Sequence, residues 1–234
     1  MLELAAASGT SDIVASPHAN PTYEFNPTLI RERTAELNQH MDGRIRIHSG
    51  CDFHLSHSNV EDALRNPTKY SINGTGYLLV ELSDLAIFRT TTRDFERLQQ
   101  AGLTLIITHP ERNSLLRQRL AELADWVKSG CLLQVTADSL FGRFGSRPEH
   151  FAKVLLNHRM VHFVASDAHG TRDRAPVLSP AFDFVRKQCG AERAENLFVR
   201  FPKAVLDGST ISPEPPETVL PKRESWFRRF WHRK

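Results

Sequence analysis

Short apolar runs alternate along this chain with segments whose apolar residues recur at helical spacing. Asp12-Ile13-Val14-Ala15-Ser16 predicts a strand, and so does the clean alternation of Arg44-Ile45-Arg46-Ile47-His48. Between them, Asn26 followed by Pro27 predicts a capped helix over residues 27–40. The asparagine oxygen can accept first-turn amides, and proline has none to satisfy. Tyr77-Leu78-Leu79-Val80-Glu81-Leu82 predicts a buried strand ending in a carboxylate. A helix over residues 94–101 meets Gly102, which can stop it. Strand 103–108, helix 115–129, strand 131–136, helix 148–158 and strand 160–166 continue the alternation. Helices over 180–189, 191–198 and 202–206 close it.

Strands separated by helices make parallel β/α units, in an open sheet or a closed barrel. Polar residues end at least five of the six strands: His18, Asp52, Glu81, His109, and Asp167 with His169. Barrels of this class carry their chemistry at the C-terminal strand ends. The expectation is therefore an α/β barrel, with periodicity alone also compatible with an open sheet.

A chain of 234 residues with 40% hydrophobic residues fits one such domain. No apolar stretch approaches the length of a membrane span, and the opening residues lack the basic segment of a secretory signal, so the cytoplasm is the expected location. Cys51, Cys131 and Cys189 are too scattered for a disulfide framework. None has an arginine six residues later, which excludes the phosphate loop of a cysteine-dependent phosphatase. The net charge of +3 conceals an asymmetry: residues 221–234 carry +5 and the rest −2. A near-neutral body gives no sign of a nucleic-acid surface. The expected division is a domain over 1–208, then a Pro-rich linker and basic aromatic tail over 209–234 without fixed structure. Trp226, Phe227, Phe230 and Trp231 among arginines also suit an anionic membrane surface.

The chemistry concentrates in Thr108-His109-Pro110-Glu111-Arg112 and Ala165-Ser166-Asp167-Ala168-His169. Neutral imidazoles and carboxylates without a cysteine cluster suit manganese, iron or zinc in a hydrolytic di- or trinuclear site. The planar fork of Arg112 can grip a phosphoryl oxygen, Glu111 can orient its neighbours, and Arg174 offers a second anion binder. Glu81, directly after three apolar residues, demands a cation partner. His54, His57 and His162 read as loop or core histidines.

Together, Ile13-Val14-Ala15-Ser16-Pro17-His18, Gly50-Cys51-Asp52, Leu79-Val80-Glu81, the His109 and Asp167 segments, and Arg174-Ala175-Pro176 resemble the PHP (polymerase and histidinol phosphatase) family. The resemblance is to its capsular-polysaccharide branch, bacterial manganese-dependent protein-tyrosine phosphatases, and spans residues 1 to about 208. It implies a distorted (β/α)7 barrel of the PHP type and a trinuclear centre, usually of Mn²⁺. It further implies hydrolysis of phosphotyrosine in the tail of a membrane-linked tyrosine autokinase that controls exopolysaccharide export. By position, His18, Asp52, Glu81, His109, Asp167 and His169 would be ligands, and Arg112 and Arg174 would bind phosphate.

Two departures stand out. The family opens with a strand bearing Asp-x-His-x-His, whereas Met1–Thr10 here match the later part of its first helix. By analogy, about 25 residues with two histidine ligands are absent, and the barrel lacks its first strand. Asp52 also stands where the branch usually has glutamate. Three functions stay open: the tyrosine phosphatase, a small-molecule phosphatase such as one for histidinol phosphate, and a catalytically impaired binding module.

Overall fold

The computed structural model describes residues 1–217. Eight parallel strands form two sheets. The first, small sheet pairs β1 (Asp12–Ala15) with β3 (Arg46–Ser49). The second has six strands in chain order: β2 (His18–Ala19), β4 (Asp52–His54), β5 (Tyr77–Glu81), β6 (Thr104–Thr108), β7 (Leu132–Thr136) and β8 (Phe163–Ala165). Helices cross between consecutive strands from β4 onward: α3 (His57–Arg65), α4 (Thr91–Gln100), α5 (Leu120–Lys128) and α6 (Ser146–Asn157). Ahead of them lie α1 (Leu2–Ala7) and α2 (Pro27–Met41). The chain closes with α7 (Ser179–Cys189), α8 (Ala191–Glu195), a wide turn over Asn196–Arg200, and α9 (Phe201–Asp207).

This is an α/β fold with parallel sheets, and no ring of paired strands closes among the described residues. Both faces of the large sheet are covered, as parallel sheets require. Leu78, Val80, Leu105, Ile107, Leu133 and Val135 pack outward under the helices with Phe95, Leu98, Leu123 and Trp126. Leu79, Ile106, Leu132 and Phe163 point to the other side with Ile72, Tyr77 and Val205. Alternate strand residues face opposite ways, which sorts each run between these two clusters. Ala5, Met41, Ile45 and Ile47 make a third cluster against the small sheet.

The sequence predicts one strand running to His18 and one running to Asp52; each is instead two strands in different sheets. The breaks fall at Pro17 and Gly50. A Cβ at Gly50 would lie 2.5 Å from Val14 Cγ1, so only glycine lets the crossing chains approach this closely. The free edges of β1 and β8 face a common cleft of about 1490 Å³.

Asn26 caps α2 as predicted, accepting from the amides of Thr28 and Leu29. The helix expected over 115–129 is a 3₁₀ turn, Leu116–Gln118, followed by α5. Cys51 and Cys131 are buried and Cys189 partly so, all as free thiols. Residues 209–217 form no helix or strand, yet they lie against the domain: Glu214 and Glu217 pair with Arg159 at 2.8 and 2.9 Å. The tail over residues 225–234 lies outside the described residues.

Candidate functional site

Parallel register brings the polar residues that open β2 and β4 beside those that end β4 and β5. His18 stands opposite Asp52, and His54 opposite Glu81. His18 Nδ1 lies 3.4 Å from an Asp52 oxygen and 3.5 Å from a Glu81 oxygen. One ligand atom from each of the three falls within 4.8 Å of the others. His109 Nε2 joins them, 3.7 Å from Glu81 and 4.0 Å from Asp52. The Thr108 hydroxyl lies 3.2 Å from Val80 O and 3.4 Å from an Asp52 oxygen, so its one proton is shared between them.

His109 and Asp167 are turned toward this space by backbone of positive φ, +35° and +47°. Such geometry costs a non-glycine residue about 1–3 kcal/mol and gathers at functional sites. The His109 amide donates to Gln134 O at 2.8 Å, and the Arg112 amide returns to His109 O at 2.9 Å. That tight turn sends the Arg112 side chain to Asp167, where Arg174 arrives from the following loop. Both guanidinium groups donate to the same Asp167 oxygen.

Of the predicted residues, His18, Asp52, Glu81 and His109 come together in one group, and Asp167, Arg112 and Arg174 in another beside it. His169 stays half-exposed and bonds through Nδ1 to Asp167 O at 2.9 Å. Glu111 is fully buried; its Oε1 accepts from the Thr136 amide and the Ser139 hydroxyl. It ties the β6 loop to the end of β7 and makes no hydrogen bond to His109 or Arg112 among the described residues.

His54 reads from the sequence as a loop or core histidine, yet it faces the cluster, with Nδ1 3.9 Å from Glu81. A period-two signal was available: it sits two residues after Asp52 in β4, on the same face. His57 is exposed at the start of α3, and His162 is buried in the core.

Charge binds the cluster together. Burial would raise the Glu81 carboxyl, but the imidazoles of His54, His109 and His18 outweigh it and hold the group below the usual carboxylate range. Burial would lower His109, yet the Asp52 carboxylate beside it raises it. Glu81 likewise raises His54. His18 Nδ1 is buried without a hydrogen-bond partner. A buried orphan nitrogen facing two carboxylates fits a cation.

The sequence model of the CpsB/CapC family, capsular polysaccharide synthesis, matches residues 1–207. The chain belongs to the CpsB/CapC family. Tyrosine-protein phosphatase YwqE of Bacillus subtilis (strain 168) is 31% identical over 231 residues, covering 97% of this chain and 89% of that protein. The putative tyrosine-protein phosphatase CapC of Staphylococcus aureus is 29% identical over the same shares. A crystal structure among those described as YwqE from Bacillus subtilis and CpsB from Streptococcus pneumoniae, unique metal-dependent tyrosine phosphatases, superposes with a TM-score of 0.85. Its identity is 31%, over 94% of this chain and 91% of that one. The α/β fold described above is thus that of a CpsB/CapC member. No helix among the described residues is long and apolar enough to cross a membrane.

Proposed function

We propose that this chain is a metal-dependent phosphatase that hydrolyses phosphotyrosine in a protein substrate. The observation that carries the reading is the His18–Asp52–Glu81 group beside the paired arginines. The names and descriptions of its CpsB/CapC relatives support the same reading, and favour it over a histidinol phosphatase or a binding module.

His18, Asp52, Glu81 and His109 would hold one ion, and Asp167 with His169 would serve a neighbouring one. Histidine and carboxylate donors without thiolate suit Mn²⁺, with iron or zinc as alternatives. When bound, such ions supply a water that deprotonates near neutral pH and offset phosphoryl charge. The chain's own residues do the rest. Arg112 and Arg174 hold the phosphoryl oxygens, and Arg174 Nε, buried without a partner, is a donor free for that purpose. Thr108 borders Asp52 with a hydroxyl shared with Val80 O, and Glu111 fixes the loop that aims Arg112.

The architecture that goes with this reading is a distorted barrel of seven β/α units. It is supported by the uniform parallel direction and by chain-order strands with helices between them. The substrate proposed is the phosphorylated tail of a bacterial tyrosine autokinase, met at the cytoplasmic face of the membrane; the family's description in capsular polysaccharide synthesis supports this.

The test is release of phosphate from a phosphotyrosine peptide with Mn²⁺, iron or zinc added, against a chelated control and histidinol phosphate. Metal-dependent release is expected, and Arg112→Ala should lower kcat/KM about a hundredfold or more. No release with any of the three metals would overturn the reading, and preferential release from histidinol phosphate would redirect it.

A further inference from the structure

The guanidinium groups of Arg112 and Arg174 have two anchors among the described residues. One is the shared Asp167 oxygen. The other is Phe144, whose ring centroid lies 4.5 Å from Arg112 Cζ and 5.9 Å from Arg174 Cζ. Phe144 sits in the loop Gly142-Arg143-Phe144-Gly145, after β7 and before α6. It is half-buried, yet it joins none of the three hydrophobic clusters.

The loop is shaped to present this ring. Gly142 and Gly145 on either side take φ of +76° and +98°, which other residues rarely adopt. Arg143 is turned away, bonding Asp138 through its side chain at 3.2 Å and through its amide at 3.3 Å. Two glycines in a backbone region that other residues rarely adopt and a pinned neighbour leave Phe144 facing the arginines rather than the core.

From this geometry we propose that Phe144 is a positioning residue for phosphate binding, an aromatic face shared by both arginines. The inference rests on the phosphatase reading above. Asp167 cannot give its full charge to an ion and to two guanidiniums together. When that carboxylate turns to an ion, the ring is the remaining contact that keeps two like charges side by side and aimed at one phosphoryl group. A quadrupole face can do this without neutralising either cation, so the donors stay free for the phosphate. A carboxylate in the same place would compete with the substrate.

The experiment compares wild type, Phe144→Leu and Phe144→Trp, all as the full chain with Mn²⁺. Inorganic phosphate binding is measured by calorimetry, and KM and kcat on a phosphotyrosine peptide beside it. Leucine keeps an apolar side chain and removes the π face; its phosphate Kd and its KM should rise about tenfold, with the melting temperature unchanged. Tryptophan restores a face and should bind phosphate within about twofold of wild type or more tightly. Equal Kd in wild type and Phe144→Leu would overturn the inference while leaving the phosphatase reading intact. Weakened binding in both variants would also overturn it, because side-chain fit would then be the cause. Absence of phosphate binding in wild type would remove the anion site and this role with it. Should the leucine variant fail to fold, Phe144→Met, apolar, flexible and without a ring, takes its place in the same comparison.

Discussion

At the scale of single residues, the site is held by charges that need one another. Glu81 touches three imidazoles and is only partly exposed, so its negative charge is the group's common partner. Glu81→Gln keeps the shape and removes the charge. Its Mn²⁺ affinity should fall about a hundredfold or more, since even outer partners of a metal site are worth about 10–100-fold. A Mn²⁺ titration by calorimetry or spin resonance checks this, and unchanged affinity would take Glu81 out of the ligand set. Glu81 and His109 were legible in the sequence because each ends an apolar run, where a buried charge demands a partner; His18 and Asp52 instead open β2 and β4, just past the breaks at Pro17 and Gly50. His54 was passed over: the period-two step from Asp52 was there, but a three-residue strand takes that step only once. Glu111 was legible as important but not as to why: its bonds go to Thr136 and Ser139, neighbours in space that no spacing reveals.

At the scale of elements, apolar periodicity located the five long strands and most helices, and failed where a side chain overrides it. Asn113 accepts from the amides of Leu115 and Leu116, which begins a tight turn and divides the expected helix 115–129. Arg119 then leaves helical geometry at φ −126° and ψ 41° before α5 starts. The strand over 160–166 shortened to β8 for a comparable reason. His162 there gives its amide to Leu133 O at 2.9 Å, and its ring Nδ1 accepts the Leu133 amide at 3.0 Å. A ring nitrogen thus takes a place that a carbonyl would hold in the ladder between β7 and β8. Burial, with the Arg193 charge nearby, pushes this imidazole from 6.5 down to about 3. The folded chain keeps it neutral, while the unfolded chain takes up a proton below about pH 6.5. Stability from this group is therefore complete above pH 6.5 and lost as pH falls toward 3, by about 1.4 kcal/mol per pH unit inside that window. His162→Gln, whose amide oxygen can still accept from Leu133, should lose that dependence. Urea unfolding at pH 7, 6 and 5 should show wild type falling more steeply than the variant; parallel slopes would mean that His162 is not held neutral.

At the scale of the whole molecule, the site depends on how the small sheet joins the large one. Two chain segments make that crossing, β1 to β2 through Pro17 and β3 to β4 through Gly50, and each delivers a member of the cluster, His18 and Asp52. Their separation is set where they cross, not at the ligands. The Gly50 amide donates to Ala15 O at 2.9 Å, and the Asp52 amide to Pro17 O at 2.9 Å, so the two crossings are stitched together. Periodicity could not foresee this, because Ser16-Pro17 and Ser49-Gly50 read only as strand ends, with no sign that pairing resumes in another sheet. Gly50→Ala places a methyl group 2.5 Å from Val14 Cγ1, inside any real contact distance. Overpacking of this kind costs about 1–3 kcal/mol, relieved by turning the Val14 side chain out of its rotamer or by parting β1 and β3. The expected result is a lower melting temperature together with weaker Mn²⁺ binding, although residue 50 touches no ligand atom. Val14→Ala removes the opposing methyl, so the Val14→Ala/Gly50→Ala pair should recover much of both losses. Recovery of stability without metal affinity would mean that the crossing sets the packing of the sheets but not the spacing of His18 and Asp52. Recovery of neither would place the strain elsewhere than at Val14.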